Sequence, residues 1–343
     1  MPISVLRDLE NYTVKHFPMN SCVCSVLLLL AASGCGNTGA PLPAGQEIMN
    51  VDLAARLLMP EDQTTKVVKP VVLPELPAAK EVAPGVVMSK VKLPLKNGQS
   101  TTLWIYRPDS LPEAKLPCVL IAPAGTFMVH GMSLSSGDQA EHIPYALAGF
   151  AVIAYDLNGP ANNNSTNAQL KQAILEFRKS KSGLDNASAA MDYAKKKIPF
   201  IDSNKFYTAG HSSAGGVALY VAQKNQSIKG AIAYAPSLDY SAAIGSQTIQ
   251  GFSTLVDGFG QYVKDISPVN HVQDLKCPTF IFYAADDQTI STSAIRNFTA
   301  KLKETNKKVT VYRFPTGGHY DSMIQQGIPK GVEWLREQES LEP

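Results

Sequence analysis

The stretch AGHSSAGG, Ala209–Gly216, decides how this chain is read. It follows the apolar, strand-like run KFYTA and opens a second apolar run, GGVALYVA, with helical spacing. A strand that passes into a helix through small residues can present a serine hydroxyl at a sharp bend. Only one of the two adjacent serines can occupy that bend. The residue there is backbone-strained, and its neighbours two before and two after must be small. For Ser212 these are Gly210 and Ala214; for Ser213 they are His211 and Gly215, and an imidazole would have to fit into the turn. The pattern assigns the bend to Ser212 and leaves Ser213 to donate its backbone N–H, with a dispensable side chain. A serine-rich turn before a helix also serves as a plain N-cap, so the reading needs partners elsewhere in the chain.

The partners come from the alternation around it. Short apolar runs, TTLWIYRP, CVLIAPAG, FAVIAYDL, KFYTAG, GAIAYAP, TFIFYAAD and VTVYRF, are separated by longer segments of helical pattern. Helices are expected at 138–148, 167–197, 214–224, 292–304 and 321–338. Strands alternating with helices imply an α/β fold, a mostly parallel central sheet covered on both faces, with chemistry gathered at the carboxyl ends of the strands. Three groups stand there in chain order: Ser212, then Asp286 or Asp287, then His319 behind Gly317 and Gly318, which let the backbone turn tightly. A serine hydroxyl is a poor nucleophile at neutral pH, so it needs a base, and the base needs an acid to fix its tautomer.

With this order, YALAGFAVIAYDLNG (Tyr145–Gly159) and ISPVNHVQDLKCPTFIFYAADDQTI (Ile266–Ile290), residues 86–343 resemble an α/β-hydrolase of the dienelactone-hydrolase and prolyl-oligopeptidase-like branch. The resemblance implies an α/β-hydrolase fold and a Ser212, Asp287 and His319 triad, since the family's acid is followed three positions later by an aliphatic residue, here Ile290. Asp286 is then a solvent-facing or turn-capping carboxylate. The oxyanion hole would take one N–H from Ser213. The other would come from PAGT, Pro123–Thr126, where Pro123 has no N–H and Ala124, Gly125 and Thr126 are the candidates. PAGT replaces the His-Gly stretch common in the family. Residues 238–276 are an insertion with two readings: a small cap whose Phe252, Phe259 and Tyr262 line a substrate pocket, or helix packing those rings into the core. The implied activity is hydrolysis of a small ester through an acyl-enzyme, without metal or cofactor. The alternatives are a peptidase of the same fold and a catalytically silent binding module.

Composition narrows the setting. The 343 residues are 45% hydrophobic and 17% charged with a net charge of +2 and no basic run, which gives no footprint for nucleic acid. Cysteines at 22, 24, 35, 118 and 277 follow no zinc or thioredoxin spacing, and Cys118 and Cys277 are expected as buried thiols. His130, His142 and His271 read as structural or exposed, and no pair of histidines has metal-ligand spacing. Residues 1–34 read as a signal peptide: CVCSVLLLLAA, Cys22–Ala32, is an apolar run of signal-peptide type, and the small residues before Cys35 resemble the bacterial lipoprotein box. Lipidation of Cys35 would place the protein outside the cytoplasm on a membrane anchor; ordinary cleavage would leave it soluble and secreted. Residues 35–85, rich in proline and alanine, read as a tether, with QEIMNVDLAARLLM as one amphipathic helix within it. Nothing in the sequence specifies an oligomeric state.

Overall fold

The computed structural model describes residues 72–126 and 128–341, so the leader, Cys35 and the helix expected at 46–59 lie outside the described residues. Among the described residues nine strands form one sheet: β1 Lys80–Ala83, β2 Val86–Pro94, β3 Ser100–Pro108, β4 Leu116–Ile121, β5 Ala151–Tyr155, β6 Ile201–His211, β7 Ile228–Tyr234, β8 Thr279–Ala284 and β9 Val309–Phe314. Their order across the sheet is β1-β2-β3-β5-β4-β6-β7-β8-β9. Strand β1 pairs antiparallel with β2, β2 with β3 and β3 with β5, and every pair from β5 to β9 is parallel. This is the α/β-hydrolase fold.

The central strands are apolar at consecutive positions because both faces are covered. Along β5, Ala151, Ile153 and Tyr155 enter one core, and Val152 and Ala154 enter the other. The first core is closed by α2 (Asn167–Lys179), α3 (Leu184–Lys197), α4 (Ser212–Lys224) and α8 (Thr292–Thr305), which contribute Phe177, Met191, Val221 and Phe298. The second is closed by α1 (Gln139–Leu147) and α9 (Ile328–Leu341), through Tyr145, Val332 and Trp334. Because β5 lies on one side of β4 and β6 on the other, the strand order reverses there. The crevice beyond the carboxyl ends of β4 and β6 is thus the place where this fold builds sites.

Four features differ from expectation. The sheet begins at Lys80, inside the stretch read as tether to residue 85, because Lys80–Ala83 pairs with β2 and Ser89 Oγ donates to the Pro77 carbonyl (2.8 Å). The single helix expected over 167–197 is broken between α2 and α3, where Lys181, Ser182 and Gly183 all take positive φ and the Ser182 and Tyr262 hydroxyls bond at 2.9 Å. The last helix is preceded by a π-helical turn, Met323–Gly327. Cys118 is fully buried, which pushes its thiol pKa well up, but Cys277 is only half-buried, its thiol pushed up to about 11 by desolvation.

Buried titratable groups make stability pH-dependent in two directions. Burial lowers His142 and His211 from 6.5 to about 3, the nearby His319 adding to the effect at His211. Between those values the unfolded chain binds protons that the folded chain refuses, so stability falls as pH drops below 6.5. Glu141 acts oppositely. Burial and then the charge of Asp138 raise it from 4.5 to about 8, so its contribution is complete below 4.5 and is lost as pH rises through 8. Urea unfolding should therefore show maximal stability near about pH 6.5. Glu141→Gln should flatten the alkaline limb; an unchanged limb would assign that decline to another group.

Candidate active site

No loop separates β6 from α4: the strand ends at His211 and the helix begins at Ser212. Ser212 has φ of +55°, a conformation that costs a non-glycine residue on the order of 1–3 kcal/mol. The surroundings hold it there. The Ser237 N–H donates to the Ser212 carbonyl at 3.0 Å, and a methyl added at Gly210 would lie 2.3 Å from the Ala214 carbonyl oxygen. Gly210 is therefore fixed as glycine by contact, and the bend falls on Ser212, which is partly exposed, whereas Ser213 is buried.

Asp287 lies in the turn after β8, its side chain fully shielded from solvent. One carboxylate oxygen accepts the N–H groups of Thr289 (2.7 Å) and Ile290 (3.0 Å), and the other meets His319 Nδ1 at 2.8 Å. Burial pushes this carboxyl up, but the bonds from His319 and the two amides outweigh it and hold the pKa below the usual range. Asp286, next door, turns to the backbone of Gly317 and Gly318.

His211 links the two halves of the site. Its Nε2 lies 3.0 Å from the His319 carbonyl, and the two imidazoles pack at 4.4 Å between centroids. A carbonyl can only accept, so Nε2 carries the proton, and burial keeps the ring neutral. The residue beside Ser212 thus grips the residue that pairs with Asp287. Among the described residues no hydrogen bond joins the Ser212 hydroxyl to His319; such contacts often tighten only with substrate in place.

The second serine is busy as well. Ser213 Oγ accepts the N–H groups of Gly125 (3.0 Å) and Thr126 (3.2 Å). The side chain expected to be dispensable thus engages the two amides expected to face a substrate oxygen. The Ser213 N–H lies in the first turn of α4, where backbone donors have no partner within the helix and the helix dipole favours negative charge. Residues 238–276 form α5 (Tyr240–Ile244), α6 (Ser246–Ser253) and α7 (Phe259–Ile266). Of the two readings of their aromatics, pocket lining and core packing, the structure matches core packing. Phe259 and Tyr262 are buried in the first core and Phe252 packs against it, 5.1 Å from Phe259, because the apolar face of α7 turns toward the sheet.

Residues 138–339 match the prolyl oligopeptidase family, over more than half of the chain and across Ser212, Asp287 and His319. The chain belongs to the prolyl oligopeptidase family. The family is one of serine hydrolases. An uncharacterized peptidase of Bacillus subtilis, YuxL, is 21% identical over 248 residues, 70% of this chain, which spans 36% of that protein's length. Acetyl xylan esterase from Paenibacillus sp. R4 superposes with a TM-score of 0.57 at 18% identity, over 79% of this chain and 89% of the esterase. A prolyl endopeptidase structure superposes with a TM-score of 0.56 at 16% identity, over 75% of this chain and 39% of its own.

The prolyl oligopeptidase match starts at Asp138, after the Ala124–Thr126 loop. That loop lies outside the match, and Ser213 Oγ is what holds it. Ser213→Ala should release the Gly125 and Thr126 amides to faster hydrogen exchange and lower kcat by about tenfold or more, as misplacement of a positioned group does. Unchanged exchange at both amides would refute the assignment.

Proposed function

We propose that the chain hydrolyses carboxylic esters through an acyl-enzyme on Ser212. The reading is carried by the positive-φ bend at Ser212 set beside the 2.8 Å Asp287–His319 pair. His319 Nε2 takes the Ser212 proton as Oγ attacks the ester carbonyl carbon, and the buried Asp287 carboxylate stabilises the imidazolium. That proton passes to the leaving alcohol as the C–O bond breaks. Water then gives a proton to His319 and attacks the acyl-enzyme, and the released acid leaves Ser212 protonated again.

The oxyanion is met by the Ser213 N–H at the head of α4 and by an amide of the Gly125–Thr126 loop. In the resting site that amide is bonded to a neutral hydroxyl. Transfer to a charged oxygen exchanges it for a bond roughly twice as strong, so the gain appears only as the transition state forms.

Two observations favour ester over peptide. The esterase neighbour is covered over 89% of its length and the prolyl endopeptidase over 39%, and α5 to α7 pack against the core. Peptide hydrolysis is the second reading, favoured by the family and by the YuxL peptidase. A fluorophosphonate should label the wild-type protein and not Ser212→Ala, and p-nitrophenyl esters should turn over faster than peptide anilides. Asp287→Asn should lower kcat by about 10⁴ as the tautomer is lost. Faster anilide cleavage would favour the peptidase, and an unlabelled wild type would leave a silent binding module.

We further propose that Cys35 is lipidated and anchors the protein to a membrane outside the cytoplasm. The apolar run Cys22–Ala32 and the small residues before Cys35 support it. One acyl chain binds only marginally, so stable anchoring needs the several chains of a lipoprotein. Cys35→Ala should abolish palmitate incorporation and release the protein from membranes; retained membrane association would contradict the anchor.

A further inference from the structure

We infer that Asp286 is the positioning residue that sets His319 against Ser212, an inference that rests on the triad reading above. Its two carboxylate oxygens accept the N–H groups of Gly317 (3.0 Å) and Gly318 (2.9 Å), the two residues immediately before His319. Both glycines have positive φ, +110° and +63°, and successive amides in such turns form an anion-binding concavity. The carbonyls of the same residues are also engaged: Ser322 N–H donates to Gly317 at 3.0 Å and Ser322 Oγ to Gly318 at 2.7 Å. With the His211 bond to the His319 carbonyl, five hydrogen bonds fix the backbone from which the imidazole projects. Asp286 supplies the one anion among them.

Adjacent carboxylates on one turn thus reach the same histidine by different routes. Asp287 holds the ring through Nδ1, and Asp286 holds the main chain that carries the ring. Asp286 is exposed, so its bonds compete with water and add little to global stability. Placement is a stricter requirement, since a displacement of about 1 Å at a reacting group can cost about a hundredfold in rate. The chemistry also discriminates carboxylate from amide. Asparagine offers one acceptor oxygen and turns an NH₂ donor toward the second N–H, so the bidentate clamp is lost although size is kept.

The test uses the full-length enzyme and the variants Asp286→Asn, Asp286→Glu and His319→Ala. Asp286→Asn should lower kcat for a p-nitrophenyl ester by about tenfold or more, with KM within about twofold and the melting temperature unchanged. Asp286→Glu, which keeps both acceptor oxygens, should recover part of the loss. The downfield proton resonance of the His319 Nδ1–H, assigned by its absence in His319→Ala, should broaden or shift in Asp286→Asn. Wild-type kcat and an unmoved resonance in Asp286→Asn, with His319→Ala inactive, would overturn this inference and leave the triad standing. A loss of turnover that merely follows a lowered melting temperature would also overturn it. Full activity in His319→Ala would sink the triad reading itself.

Discussion

The positive φ at Ser212 is the constraint from which the rest of the site follows. A strand that becomes a helix within one residue must bend there, and a side chain at such a bend stands away from both elements. The cost is local and its compensation is distributed. Gly210 gives up a side chain so that the chain can pass the Ala214 carbonyl, Ser237 ties the Ser212 carbonyl, and β6 is held between β4 and β7 in the middle of the sheet. Rigidity of this kind suits a nucleophile, because the geometry of attack is then set before the substrate arrives.

Two doublets, Ser212-Ser213 and Asp286-Asp287, share one logic. In each, one side chain belongs to the proposed triad, and its neighbour ties down a loop from elsewhere in the chain. Ser213 captures the amides of Gly125 and Thr126 after β4, and Asp286 captures those of Gly317 and Gly318 after β9. His211 makes a third link of this type, from the nucleophile's own strand to the His319 carbonyl. The loops at the ends of four strands are thus bonded through residues adjacent to the proposed triad, and the reacting groups inherit their geometry from these neighbours.

Much of this was legible in the sequence because the signals were local. Apolar runs flanked by glycine, proline and aspartate marked β3 to β9, and the sizes of Gly210 and Ala214 against His211 located the bend. The aliphatic Ile290 pointed to Asp287 over Asp286, and its N–H is one of the donors to Asp287. What escaped was either masked by composition or carried by contacts distant in sequence. Strand β1 lay in a proline-rich stretch, and β2, with Lys90 and Lys92 exposed between apolar positions, alternates as a one-sided strand does and not as the continuous runs of a parallel core. The break before Gly183 depends on Tyr262, 80 residues away. Asp286 binds amides 31 and 32 residues on, and Ser213 binds amides 87 and 88 residues back. No periodicity reports such pairs.

The Pro123–Thr126 loop and Ser213 are best understood as one device. The loop opens on Pro123, whose ring fixes φ and removes a donor, so its first N–H belongs to Ala124. Gly125, at φ of +96°, then reverses the chain and sends two successive amides toward the head of α4. A hydroxyl oxygen with two lone pairs can accept both, and serine brings it without bulk into a site left only 3% exposed. Alanine at 213 would leave the loop without its acceptor, while a longer side chain would have to find room in that closed site. The loop and the second serine therefore constrain each other, although the prolyl oligopeptidase match spans only one of them.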